Sequence, residues 1–143
     1  MSLNNFGSVL DFAIQMEDQN ASFLQDALNN SETKDCQDVL ERFLSESKKN
    51  SKTLSRARQE NVTEMILEPI QGLERKSYQA EETDPNQLNK QQILEKIKHR
   101  DHKCLAFYED AAEKLKPVSD VAGTFQRLAK KRRARIEQLE STT

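Results

Sequence analysis

Imidazoles, thiols and dense charge are the side chains that can do chemistry, and the first of them cluster at His99, Asp101, His102 and Cys104. Two histidines three apart share a helix face and could ligate zinc or copper. If Asp101, Leu105 and Tyr108 define the inward face of that helix, His99 and His102 point sideways or outward, which favours a solvated pair. The run Lys130-Lys131-Arg132-Arg133-Ala134-Arg135 is the densest charge in the chain and is of the kind that touches nucleic-acid phosphate. A solvated face near a helix C-terminus, favoured by the dipole, accounts for Lys130, Lys131 and Arg133 equally well. Nucleic acid is therefore not expected as a partner. Tyr108 reads as a core aromatic whose hydroxyl needs a hydrogen-bond partner. No Ser–His–Asp arrangement or phosphate-cradling glycine loop appears, and three glycines leave little room for one. Cys36 and Cys104 make neither a disulfide framework nor a Cys-based zinc site, and both are expected as buried or idle thiols.

These residues are useful only where the chain positions them. A length of 143 residues fits a single domain covering 1–143. Charged residues make up 32% and hydrophobic residues 35%, with 3 Gly and 3 Pro, too few turn formers for a β sandwich or barrel. Mean hydropathy is -0.87, and no apolar stretch is long enough for a transmembrane helix or a signal peptide. No membrane role is expected, and a soluble cytoplasmic protein is. The formal net charge of -2 provides no global field toward nucleic acid or anionic lipid, so such a role needs a local patch.

Apolar residues at three-and-four spacing from Phe6 through Val9, Leu10, Ala13, Phe23 and Leu24 to Leu28 predict helix 1 over about 6–29. The segment Asn29-Asn30-Ser31-Glu32-Thr33 reads as a turn and N-cap, followed by helix 2 over about 33–60 with the stripe Leu40, Phe43, Leu44, Asn50 and Leu54. Pro69, Gly72 and Pro85 interrupt the pattern over 62–88. That crossover still holds Val62, Met65, Ile66, Leu67, Ile70 and Leu73, so a short helical turn packed on the rest is expected. Asn89 with Gln92 forms a capping box that opens helix 3, about 89–115, and Pro117 ends it. Helix 4 covers about 120–140, with its last residues frayed.

Sliding the chain against itself by 84 residues places Leu10 on Leu94, Glu17 on Asp101, Phe23 on Phe107 and Ala27 on Ala111. A shift of 85 places Leu40 on Phe125, Arg42 on Arg127 and Leu54 on Leu139. One helical hairpin is thus used twice. Two copies are too few for a solenoid, but two amphipathic hairpins bury each other as a four-helix bundle. A crossover of ~25 residues extends to ~80 Å, enough to return along a helix of ~36 Å and start helix 3 parallel to helix 2.

Phe12-Ala13-Ile14-Gln15-Met16-Glu17 followed by Phe23, and Arg100-Asp101 followed by Phe107-Tyr108-Glu109-Asp110-Ala111-Ala112, resemble the first and third helices of rubrerythrin-like members of the ferritin-like superfamily. Leu40-Glu41-Arg42-Phe43-Leu44 and Phe125-Gln126-Arg127-Leu128-Ala129 resemble the starts of its second and fourth. The resemblance implies an all-α, ferritin-like four-helix bundle of two antiparallel hairpins joined by a long crossover. It also implies a two-iron site that reduces peroxide or oxygen, built from one carboxylate on each of two helices and a Glu-x-x-His pair on each of the others.

The chain departs from that ligand set. The single carboxylates fall on Glu17 and Asp101, but the Glu-x-x-His positions fall on Ser47 and Asn50 in helix 2 and on Arg132 and Arg135 in helix 4. Guanidinium groups cannot deprotonate to bind metal. The expectation is a degenerate di-iron site with no catalytic residue, no cofactor and no metal. In its place a buried cluster is expected, in which Arg132 and Arg135 neutralise Glu17 and Asp101, with Ser47 and Asn50 completing the hydrogen bonds and each arginine forked on a carboxylate. The corresponding function is a non-catalytic scaffold or interaction protein, dimeric through the apolar crossover Met65 to Leu73, with a further protein partner open. The alternative is a di-iron oxidoreductase or iron-binding protein, which would need Asp18, Glu46, Glu109 or His102 to point inward. A third reading is nucleic-acid binding through the basic helix 4.

Overall fold

The computed structural model describes residues 3, 5–61, 70 and 72–142, whose secondary-structure elements are all helices. Helix α1 spans Phe6–Leu28, α2 Gln37–Glu60, α3 Arg75–Tyr78, α4 Lys90–Lys114 and α5 Ser119–Thr142. Short 3₁₀ stretches occupy Ser31–Cys36 and Pro85–Gln87.

Local chemistry sets the helix ends. The Asn5 side chain accepts from the Ser8 backbone at 2.8 Å while the Ser8 hydroxyl accepts from the Asn5 backbone at 3.3 Å, a reciprocal cap that satisfies two donors at once. Asn89 and Gln92 make the expected box at 2.9 and 3.0 Å. Helix 2 differs from the expectation, because Ser31–Cys36 is 3₁₀ and the α-helix starts at Gln37. The cause is Thr33, whose buried hydroxyl donates to the carbonyls of Ala27 at 2.7 Å and Asn30 at 2.9 Å and winds the chain tightly. The carboxyl end differs as well. Helix α5 continues through Thr142, held by buried Leu139 and by Lys98 at 3.7 Å from Glu140.

The long helices pack as two hairpins, α1 against α2 and α4 against α5. Arg58 meets Asp11 and Asn50 meets Glu17, so α1 and α2 run antiparallel. Glu109 meets Arg133 and Lys98 meets Glu140, so α4 and α5 do too. Across the hairpins, Phe12 stacks edge-on to Phe107 at 5.1 Å, Asn20 reaches Cys104, and Arg100 lies over Phe23. That order makes α4 antiparallel to α1 and therefore parallel to α2.

The crossover supplies the return path. Leu73 accepts from the Leu3 backbone at 2.8 Å, Tyr78 packs on Phe107 at 5.0 Å and donates to Asp110 at 2.6 Å, and Glu81 accepts from Arg100 at 3.1 Å. Pro85 and Leu88 then accept from the Asn30 side chain at 2.9 and 3.0 Å. The chain is thus strapped down α4 from near residue 110 to the opposite end. Residues 62–69 and 71, with Val62, Met65, Ile66 and Leu67, lie outside the described residues. Of the apolar residues of the crossover expected at a dimer contact, only Ile70 and Leu73 are described: Leu73 is 1% exposed and Ile70 packs partly buried on the protein's own core. A short helix in the crossover, α3, lies beyond the apolar residues from which a helical turn was expected and is anchored by buried Tyr78.

Two apolar clusters fill the interior. One surrounds Phe107 with Phe12, Tyr78, Tyr108 and Phe125, and the other joins Phe23, Leu24, Leu40, Ile93 and Leu139. Phe107 is fully buried and touches aromatic rings from α1, α3 and α5 as well as its own helix. Phe107→Ala should cost about 3–5 kcal/mol, read as a lowered midpoint in urea unfolding; a loss below about 1 kcal/mol would contradict this packing.

Candidate functional site

A polar layer separates the two apolar clusters, and every long helix contributes to it. Glu17 and Asn20 come from α1, Ser47 and Asn50 from α2, Asp101, Cys104 and Tyr108 from α4, and Arg132 and Arg135 from α5, all buried. Neighbouring residues of the layer on one helix sit three or four apart, about one turn on the same face.

Arg132, at 0% exposure, is the centre. Its Nη1 donates to Asp101 Oδ1 at 2.9 Å, and its Nη2 donates to Glu17 Oε1 at 2.6 Å and Oε2 at 2.5 Å. Arg135 Nη2 donates to the same Asp101 Oδ1 at 3.1 Å, and its Nη1 donates to Ser47 Oγ at 3.0 Å. Asn50 Nδ2 donates to Glu17 Oε2 at 3.1 Å, and the Tyr108 hydroxyl donates to that same oxygen. All six residues singled out from the sequence therefore meet. One detail differs: Arg132 bridges two carboxylates through its two terminal nitrogens rather than forking onto one. Glu17 and Asp101 stand on different helices, and a guanidinium between them neutralises both.

The electrostatics follow from this enclosure. Burial pushes the Glu17 carboxyl up, but the charges of Arg132 and Arg135 and the hydrogen bonds from Tyr108 and Arg132 outweigh it, leaving the carboxyl below its ordinary value. Burial opposes the charge of Arg132, and Glu17 and Asp101 hold it firmly protonated. Burial and the Glu17 charge drive Tyr108 well up, so its hydroxyl remains a donor. Burial pushes the Cys104 thiol up to about 11, which leaves it a thiol and a poor nucleophile. The aromatic faces add to the cations' surroundings, with Arg132 5.8 Å from the Tyr108 ring centre and Arg135 4.9 Å from that of Phe43.

The duplication is visible in the contacts. Asn50 on Glu17 in the first hairpin matches Arg135 on Asp101 in the second, by the same shifts of 84 and 85 residues. Asn20 donates to Cys104 Sγ at 3.0 Å, a pair 84 apart that the sequence reading missed. Its position one turn beyond Glu17, and its registration on Cys104 in the repeat, were the available signals.

The residues needed by the alternative reading lie elsewhere. Asp18 is exposed and accepts from Ser51 at 2.7 Å, Glu109 is exposed and pairs with Arg133 at 2.5 Å, and His99 and His102 are exposed. Glu46 is half-buried, 3.6 Å from Arg135. Lys130, Lys131 and Arg133 are exposed, as expected of a solvated face. Among the described residues no group of three or more His, Cys, Asp or Glu is placed to hold a metal ion. The donor set of the layer does not fit two iron ions: its two carboxylates already accept from guanidiniums, and Ser47 and Asn50 are neutral. Comparison with protein-family models, curated proteins and solved structures finds no match to this chain.

What the layer can do chemically is hold charge in balance, two carboxylates against two guanidiniums. Its satisfaction is incomplete, since Asp101 Oδ2 and the Nε groups of Arg132 and Arg135 make no hydrogen bond. Arg132→Met leaves two buried carboxylates short of a partner and should cost about 3–5 kcal/mol, whereas replacing Glu17, Asp101, Arg132 and Arg135 together by apolar side chains of similar volume should recover most of it. Equal stability of Arg132→Met and the parent in urea would sink this account of the layer.

Acid is a second probe. The folded Glu17 carboxyl lies below its unfolded value, so its contribution is complete above the unfolded pKa of about 4.3 and is lost as pH falls through the folded value. Unfolding free energy should fall as pH is lowered from about 5, with a shallower fall in Glu17→Gln, each measured by denaturant titration.

Proposed function

We propose that the chain is a rubrerythrin-like, ferritin-like four-helix bundle whose metal-binding layer is rebuilt as an internal ion cluster, and that it serves as a non-catalytic scaffold or interaction protein. One observation carries this reading. The six positions to which the resemblance assigns the di-iron ligands share one buried layer, and there Arg132 donates to both carboxylates on which metal would depend. A permanent cation supplied by the chain does the electrostatic work of a metal ion, holding two carboxylates in a dry interior, but offers no open coordination position and no redox couple. The two-hairpin packing and the strapped crossover agree with the same family. Self-association as a dimer belongs to the proposal, with its surface outside the inward-facing Ile70 and Leu73.

The test is metal content by elemental analysis, with an ultraviolet–visible spectrum, on untagged protein from iron-supplemented medium. Iron far below one per chain is expected, unchanged after anaerobic ferrous iron is added, with a Tm that chelator does not move. About two iron ions per chain with an oxo-bridge absorption would restore the oxidoreductase.

A further inference from the structure

The net charge of -2 conceals a polarised surface. Helix α1 holds no Lys or Arg and exposes Asp11, Asp18 and Asp26. On α2, every charged residue from Lys48 to Arg56 is an exposed cation: Lys48, Lys49, Lys52 and Arg56. On α5, Arg127, Lys130 and Lys131 are exposed, and no carboxylate stands between Asp120 and Glu137. None of these cations makes an ion pair among the described residues.

The fold brings the two sets together. Since α1 is antiparallel to both α2 and α4, and α5 to α4, helices α2 and α5 are antiparallel, and Arg135 reaches Ser47 across their seam at 3.0 Å. Counting away from that contact in opposite directions brings Arg56 beside Arg127, while Lys52, level with Lys130, follows Ser51, which donates to Asp18, and so lies on the α1 side of α2. Glu46, 3.6 Å from Arg135, marks the side of α2 turned toward α5. Lys49 and Arg56 continue that stripe at helical spacing, and the 85-residue repeat gives Lys131 the place of Glu46 on α5. Outward-facing cations of two neighbouring helices thus border one seam, the helix axes ~8–10 Å apart and the strip ~12 Å long.

We infer that this seam docks the phosphate backbone of a nucleic-acid duplex, without reading its sequence. The chemistry selects that occupant. A protein partner needs an apolar centre, and the exposed residues between the cations are Thr53 and Ala134. A single strand needs aromatic platforms, and all six Phe and both Tyr are buried. What remains is an uncompensated positive strip wide enough to meet phosphates on both sides of a groove, with acidic α1 on another flank to orient the encounter. This is independent of whether the buried layer binds metal.

Fluorescence anisotropy of the full chain with a labelled duplex of about 20 base pairs tests it, and log K should fall with log salt at a slope of about -4 as four or five phosphates are neutralised. Duplexes of unrelated sequence should bind within about twofold of one another. K49E/K131E should weaken binding at least about tenfold, and the milder K49Q/K131Q should reduce the slope by about 2. K34E/K76E, at exposed cations elsewhere, should stay within about twofold, with circular dichroism reporting that each variant folds. Binding absent at about 50 mM salt, binding equal in the seam variants and the parent, tighter binding of a single strand than of the duplex, or equal competition by polyglutamate would each overturn the assignment.

Discussion

A guanidinium at 0% exposure constrains everything around it. Removing a cation from water costs several kcal/mol that only close, well-placed anions offset, so Arg132 demands Glu17 on α1 and Asp101 on α4 at the same height in the interior. Once both carboxylates are present, one cation no longer balances them. Arg135 restores neutrality from the next turn of the same helix, and Asn50, Ser47 and Tyr108 occupy further donor and acceptor sites. The apolar clusters on either side supply most of the burial, but leucines and phenylalanines tolerate small slips along a helix axis. A layer whose bonds run from α5 to α1, α2 and α4 does not. The network acts here as a register device, joining four helices at one height, and that is the use for which buried ionic groups have the best physical case.

The duplication shapes how the balance is struck. A two-fold hairpin repeat would place two identical carboxylates and two identical partner pairs about a pseudo-axis, yet the halves have diverged in complementary ways. The first hairpin keeps the longer acid, Glu17, with neutral Ser47 and Asn50; the second keeps the shorter Asp101 with both arginines. Glu17 receives Arg132 on both oxygens together with Asn50 and Tyr108, whereas Asp101 receives both arginines on Oδ1 and none on Oδ2. The extra methylene lets Glu17 reach the centre, and the shorter Asp101 draws both cations onto one oxygen.

Much of this was readable in the residues because it rests on local rules or on charge conservation. Helix periods, the Asn89–Gln92 box and the Pro117 stop follow from positions within a turn of each other, and the repeat fixes which helices are equivalent. The ion cluster was readable because two buried acids require two cations, and Arg132 and Arg135 were the ones in register. Other features depend on contacts that no side-chain pattern announces. Asn30, Ser31 and Thr33 are all capping residues, so the sequence did not decide that Thr33 would wind a 3₁₀ stretch ahead of α2. Glu81, Pro85 and Leu88 bind the crossover through backbone carbonyls, which any residue could supply. The seam between α2 and α5 joins residues some 80 apart, and its charge shows only after the helices are laid side by side.

The crossover decides which flank of the protein is strapped. By running down α4 with Tyr78 seated on Phe107 and Arg100 tied to Glu81, it covers the side where α4 meets α1. The α2–α5 flank, related to that side by the pseudo-axis, has no equivalent strap among the described residues, because the chain needs one long connection and two short ones. Symmetry in the hairpins combined with asymmetry in their connection leaves one face strapped and, among the described residues, the other without a strap. The unstrapped face carries the cations and the acids of α1 lie off it, so the asymmetry of the connection and the asymmetry of the surface charge coincide.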